Sequence, residues 1–265
     1  MGTEKWHEAE KIQRQMGRRI LGLRKNSNNE VVYGELGWWR LKTRRDLLRL
    51  RFWRKIINMK ETRLTKIVYE WERKRDKPRS WCRYTRDLLS ALGLGQVWTS
   101  QAIEYSPSEL SKIILEKLQV QEQYWWKQQI DSKPRLRTYL VVKESFCLES
   151  YLKSDNGSGR RLLAWIQSGA NPLRIESGRA KGIPRGDCKC WFGCDQVEDE
   201  YHFLVSCHIY ADLRQGIIDE VGAPEFGISG LGIMMGTGTP KRTELAMVFI
   251  QRAINRRTLL LSQME

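Results

Sequence analysis

Cys188-Lys-Cys190-Trp-Phe-Gly-Cys194-Asp-Gln-Val-Glu-Asp-Glu-Tyr-His202-Phe-Leu-Val-Ser-Cys207-His208 is the stretch on which the reading of this chain turns. Four of the six cysteines and two of the three histidines fall within these twenty-one residues. Inside it runs C-x3-C, then seven residues, then H-x4-C. Zinc takes four soft or borderline ligands in a tetrahedron, and two closely spaced pairs let a short chain wrap it. Cys190 and Cys194 form one arm of such a site, His202 and Cys207 the other. Gly193 permits the tight turn the first arm requires. His202 to Cys207 spans one helical turn and a residue beyond, with Phe203 and Leu204 turned inward. The acidic run Val197-Glu-Asp-Glu200 reads as an exposed, solvated connection. Two alternatives stay open: Cys188 replacing Cys190 as C-x5-C, and His208 replacing His202, although beside Cys207 it points badly for the same ion. Disulfides are disfavoured, because nothing marks the chain as secreted and the cysteines alternate with histidine. Four protein ligands leave no open position, so the zinc is expected to be structural, not catalytic.

The 265 residues can bury a real core. Eleven Trp, nine Tyr and six Phe carry too much apolar surface for a chain disordered throughout. No run approaches the roughly 18 apolar residues that cross a bilayer, and the charged start MGTEKWHEAEKIQRQMG does not resemble a signal peptide. An intracellular chain, nuclear and/or cytoplasmic, with no membrane partner is expected. The net charge of +15 is uneven. Residues 1–90 hold 25 Lys/Arg against 11 Asp/Glu, whereas residues 91–265 are nearly balanced at 21 against 20. Interleaved with Trp and Tyr, that excess suits a phosphate backbone, whose neutralisation releases counterions while rings stack on bases.

Periodicity predicts helices over 4–21 (Trp6, Ala9, Ile12, Met16 and Ile20 in step), 41–59, about 87–92, and 108–130. Further helices are read over 139–152, 160–168, 208–221 and 244–261, the last with Arg252, Arg256 and Arg257 on its polar side. Ser106-Pro-Ser108-Glu109 supplies a cap and first turn for the 108–130 helix, whose apolar stripe is Leu110, Ile113, Ile114, Leu118, Tyr124 and Trp125. Val31 to Tyr33 reads as a brief extended segment and 171–179 as a loop. The glycine-rich 222–240 reads as a flexible loop, fitting neither a P-loop nor a dinucleotide fingerprint.

On a wheel of the 41–59 helix, Arg40, Arg44, Arg51, Arg54 and Lys55 gather on one arc. Leu41, Leu48, Leu50, Phe52, Trp53, Ile56 and Ile57 cover most of the rest. Arg45 and Arg49 intrude on the apolar side and must snorkel or find carboxylates. One basic arc on an anchored helix is what a backbone-tracking surface needs, although a solvated face would look the same.

Cys190-Trp-Phe-Gly-Cys194 with His202 and Cys207 resembles the carboxy-terminal CCHC knuckle of LINE-type (non-LTR) retrotransposon reverse transcriptases. Gly17-Arg-Arg-Ile-Leu-Gly22, Glu35-Leu-Gly37-Trp38 and Arg44-Arg45-Asp46-Leu47 look like the segment after the polymerase palm in such proteins. Asn171-Pro-Leu-Arg-Ile-Glu-Ser-Gly-Arg179 and Val197-Glu-Asp-Glu200-x-His202-Phe-Leu look like the stretch around that knuckle. Together these pieces span most of residues 10–215. The resemblance implies a mostly α fold, a helical thumb-like and linker bundle followed by a small zinc knuckle and a carboxy-terminal helix. It implies four segments: 1–92 basic and thumb-like, 93–180 linker, 181–215 knuckle, and 216–265 glycine-rich loop with the terminal helix. In the family this part grips template RNA and target DNA during target-primed reverse transcription. The palm motif Tyr/Phe-x-Asp-Asp is absent, since no Asp-Asp pair occurs, so no polymerase activity carries over. The expectation is a fragment of such an element that is not an enzyme and has no small-molecule substrate. Arg40, Arg44, Arg51, Arg54 and Lys55 would contact RNA or DNA phosphates, and Trp38 or Trp39 would stack. The rival is a zinc-stabilised protein-interaction module whose basic surface is incidental. A nuclease ranks third, with Glu198-Asp-Glu200 its one dense acidic group.

Overall fold

Helices dominate the computed structural model of the chain, which describes residues 3–222, 228–236 and 238–264. Among them β pairing is confined to two isolated bridges, Leu36 with Leu148 and Lys189 with Val197. The helices are α1 (Thr3–Leu21), α2 (Asn29–Leu36), α3 (Leu41–Ile57), α4 (Leu64–Arg75), α5 (Trp81–Ala91), α6 (Gly95–Thr99) and α7 (Pro107–Asp131). Then come α8 (Arg137–Val142), α9 (Gly157–Gln167), α10 (Arg174–Ala180), α11 (Ala211–Val221), α12 (Ile228–Met234) and α13 (Pro240–Ser262). The class is mostly α, as periodicity predicts. No helix among the described residues is long and apolar enough to cross a membrane. Two compact units divide the chain: Met1–Glu10 with Trp39–Lys127, and Lys11–Trp38 with Gln128–Glu265. Their boundaries are not those of the four segments read from the sequence.

The first unit is built on aromatic packing. Leu50, Trp53 and Ile56 of α3, Tyr69 of α4, Leu89 of α5, Trp98 of α6 and Leu110, Ile114 and Leu118 of α7 form its core. The Trp53 and Trp98 rings stack at 5.9 Å, and Trp53 Nε1 donates to the Tyr69 hydroxyl at 2.9 Å. That hydroxyl in turn donates to Gln101 Oε1, so the buried polar atoms are satisfied. α7 starts on a reciprocal cap: Ser106 Oγ accepts from the Glu109 amide while Glu109 Oε2 accepts from the Ser106 amide. The wheel of α3 needs correction. Its buried side is Thr43, Asp46, Leu50, Trp53 and Ile56, whereas Leu48 and Phe52 are exposed. The polar Thr43 lies inside because its hydroxyl donates to Glu122, a fully buried carboxylate of α7. Asp46 lies inside because it meets Arg45 and Arg49, the two cations that sequence left in need of carboxylates. Tyr124, counted in the α7 stripe, is exposed as well.

The second unit packs α13 against α9 and α11, with α12 against α8. Within it, residues 11–21 of α1 approach α2 closely at Gly17. A Cβ at Gly17 would collide with Val32 Cγ1, so only glycine allows this approach. α2 overturns the extended reading of Val31–Tyr33: burial of Glu30 to Leu36 outweighs the β preference of two valines and a tyrosine. Ile12, Met16 and Ile20 of α1 are exposed, and the Trp6 side chain lies outside the described residues. The 139–152 helix is shorter than expected, since α8 ends at Val142 and a 3-10 turn covers Ser150–Lys153. The expected 171–179 loop contains α10, and the glycine-rich 222–240 contains α12. Residues 223–227 and Thr237 of that stretch lie outside the described residues.

Glu35 is the unusual residue of this unit. It is fully buried, and its Oε2 accepts from the Tyr151 hydroxyl at 2.5 Å while its backbone carbonyl accepts from the Glu149 amide. Burial raises its carboxyl to about 7, against the opposing pull of Lys143 and of the tyrosine hydrogen bonds. The folded chain then keeps this proton where the unfolded chain has lost it. The contribution is fully present below the ordinary glutamate range and is lost as pH rises through about 7. Thermal unfolding of wild type and Glu35→Gln between pH 5 and 8 checks this. The wild type should lose on the order of 3 kcal/mol relative to the variant across that window, because the neutral amide has no proton to lose.

Candidate metal centre and basic face

Cys190, Cys194, His202 and Cys207 converge in the second unit, with one donor atom from each lying within 4.8 Å of all the others. Local backbone chemistry assembles them. The Cys190 amide donates to the Gln196 carbonyl at 2.7 Å, closing a tight hairpin flanked by the Lys189–Val197 bridge. Gly193 turns it with φ +75°, a conformation that disfavours any side chain. The second arm is a π-type turn over His202–Ser206, closed by the Cys207 amide on the His202 carbonyl at 2.7 Å. In an α-helix, residues five apart lie about 140° apart around the axis; the wider turn brings His202 and Cys207 toward one side. Phe203 and Leu204 are fully buried beneath it.

The donor chemistry fits a metal ion. Cys194 Sγ and Cys207 Sγ are 3.7 Å apart; a tetrahedron with bonds of about 2.3 Å has edges near 3.8 Å. The His202 ring is held from behind, its Nδ1 2.9 Å from Gln196 Oε1 and 3.1 Å from Ser206 Oγ. With the proton on Nδ1, the buried Nε2 keeps its lone pair and has no hydrogen-bond partner among the described residues. The crowded sulfurs divide protons unequally. Hydrogen bonding from Cys207 holds the Cys190 thiol down at about 3, and the same sharing drives Cys207 far up. Burial raises Cys194. A central cation would let all three ionise.

Cys188 stays outside the cluster, buried with its thiol 3.5 Å from the Pro184 carbonyl. His208 is exposed, with Nδ1 3.3 Å from Cys194 Sγ, and is not among the four that converge. The acidic connection is the largest correction: Glu198 and Glu200 are 1% and 2% exposed. Glu198 accepts two bonds from Arg257 of α13, at 2.7 and 2.8 Å, and one from the Arg174 amide of α10. Glu200 accepts from Arg137 and Thr138 of α8 and from Asn171. Arg257, expected on the polar side of its helix, is therefore buried. Glu176 pairs with Arg135 and Arg179. Sequence reading missed Gln196 and Ser206 behind the histidine; their positions six and four residues from it were the available signal.

No protein-family model, curated protein or solved structure matches this chain.

The five basic residues of the predicted arc, all in the first unit, part company. Arg40 is occupied by Glu122, which takes both its guanidinium and its backbone amide, and it stacks over Trp125 at 3.7 Å. Arg54 donates to the Pro107 carbonyl at 2.7 Å and to Ser111 Oγ at the start of α7. Arg44, Arg51 and Lys55 are exposed. At positions i, i+7 and i+11 they lie within about 40° of one another around the helix, alongside exposed Leu48 and Phe52. Trp38 and Trp39 are both half-buried, Trp38 beside Gly17 in the second unit and Trp39 against the core of the first.

Two outcomes check this site. Gln196→Ala should weaken metal binding by about 10–100-fold through the loosened histidine, and His202→Ala or Cys194→Ser should abolish it, read by competition with a chromophoric chelator. Arg257→Ala leaves Glu198 buried without its guanidinium and should cost about 3–5 kcal/mol in urea unfolding.

Proposed function

We propose that this chain is a nucleic-acid-binding, carboxy-terminal part of a LINE-type reverse transcriptase, held together by structural zinc and gripping template RNA or target DNA. The observation that carries the reading is the outer line of α3, where Arg44, Arg51 and Lys55 stand exposed on a helix whose opposite side is locked in a core. Cations in line neutralise successive phosphates, and the exposed Phe52 ring between them offers a stacking surface. Phosphate contact is assigned to these three residues because Arg40 and Arg54 already serve α7. Stacking passes from Trp38 and Trp39, which are half-buried, to Phe52.

Zinc is the metal proposed, since three thiolates and one imidazole at tetrahedral spacing suit it better than oxygen-seeking cations. Its chemistry here is cross-linking alone: Cys190 and Cys194 hold one arm, His202 and Cys207 the other. No catalytic step is proposed, and the palm carboxylates of the family have no counterpart in this sequence. A protein that grips RNA or target DNA acts in the cytoplasm and/or nucleus.

Salt titration of single-stranded RNA or DNA binding tests the reading. Arg44→Glu/Arg51→Glu/Lys55→Glu should lower affinity by more than tenfold and flatten the salt slope by about 2, as expected for three lost phosphate contacts on a single strand. Binding that ignores salt, or that survives this charge reversal intact, would sink the proposal.

A further inference from the structure

α4 turns its apolar side to solvent. Leu64 is 74% exposed, Ile67 52%, Val68 47% and Trp71 56%. These are positions i, i+3, i+4 and i+7, the stripe a surface helix ordinarily buries. α4 is instead held through its opposite side, where Tyr69 enters the core and Lys66 Nζ donates to the Ile57 carbonyl. A lone exposed leucine needs no explanation, but four apolar residues in register mark an interaction surface.

Charge says what covers it. Lys60 and Arg63 precede the stripe, Lys74 and Arg75 follow it, and none has a carboxylate partner among the described residues. Of the nearby carboxylates, Glu61 and Glu70 meet Lys66, Glu70 also Arg73, Asp76 meets Arg83 and Arg86, and Glu72 accepts from the Cys82 thiol at 3.8 Å. An apolar line bracketed by uncompensated cations matches an apolar ridge flanked by carboxylates. Nucleic acid fits poorly, because three of the four residues are aliphatic and Arg75 already covers the Trp71 ring at 4.3 Å. An anionic bilayer fits poorly too, since its headgroups would meet Glu70 and Glu72 all along the stripe, whereas a docked helix can set its carboxylates against the cationic ends alone. Symmetric pairing of two copies would set cationic ends against each other. We infer that α4 docks an acidic amphipathic helix of a partner protein, laid along Leu64 to Trp71 with its carboxylates against Lys60, Arg63, Lys74 and Arg75.

The test is fluorescence anisotropy of the full chain with a labelled synthetic helix carrying leucines at i, i+3, i+4 and i+7 on a glutamate-rich background. Saturable binding should be at least tenfold tighter than for a peptide of the same composition with dispersed leucines. It should weaken at least tenfold in Ile67→Glu, in the independent variant Val68→Asp, and in Lys74→Glu/Arg75→Glu. All four positions are exposed, so circular dichroism and melting temperature should stay at wild-type values. Single-stranded RNA affinity should be unchanged in Ile67→Glu, which separates this face from that of α3. Equal binding of the two peptides, or indifference to Ile67→Glu and Val68→Asp, would overturn the inference. So would finding that these variants instead abolish binding to phosphatidylserine vesicles, to RNA, or to a second copy in sedimentation.

Discussion

Glu198 sits where the cysteine-rich hairpin meets the helices behind it. Its carboxylate takes the Arg257 guanidinium on two bonds and the Arg174 amide on a third, while its own amide donates to the Cys188 carbonyl. An isolated buried carboxylate would be strongly unfavourable, and a buried ion pair is sustainable only when its remaining lone pairs are also filled. Glu198 meets that condition, and Glu200 does so nearby, accepting from Arg137, Thr138 and Asn171. These ties set the direction from which four ligands converge. The cysteine-rich hairpin is thus held from outside as much as by any ion at its centre.

The first unit uses the same device at Glu122. Glu122 is buried and gathers Arg40 and Thr43, so α7 is clamped to the start of α3. Arginine suits the task because its planar fork meets both carboxylate oxygens while its face lies on Trp125. The consequence for binding is direct. Part of the positive charge that makes this region look basic is internal structure, and the number of cations free to meet a phosphate is smaller than composition suggests.

Much of this was legible in residue order. α3, α7 and α13 follow from apolar period, α7 also from its reciprocal cap, and the four converging residues are the set that spacing favoured while Cys188 and His208 stayed open. What escaped notice depends on partners distant in sequence. Val31 and Val32 look extended because propensity is local, whereas α2 is made by burial on every side. Glu198-Asp-Glu200 looks solvated because acidic runs usually are; Arg257 lies fifty-nine residues from Glu198. A helical wheel places Arg40 and Arg54 beside Arg44 and Arg51, but it cannot see α7 arriving to take two of them.

The long separation between Glu198 and Arg257 has a bearing on chain synthesis. All four ligand side chains exist once Cys207 has been added, about fifty residues before Arg257. On a ribosome the thiols and imidazole are available to an ion while Glu198 still faces water and α13 has not been made. The four-residue set is therefore complete before the guanidinium that buries Glu198 exists. A hairpin excised from the chain would carry the first without the second.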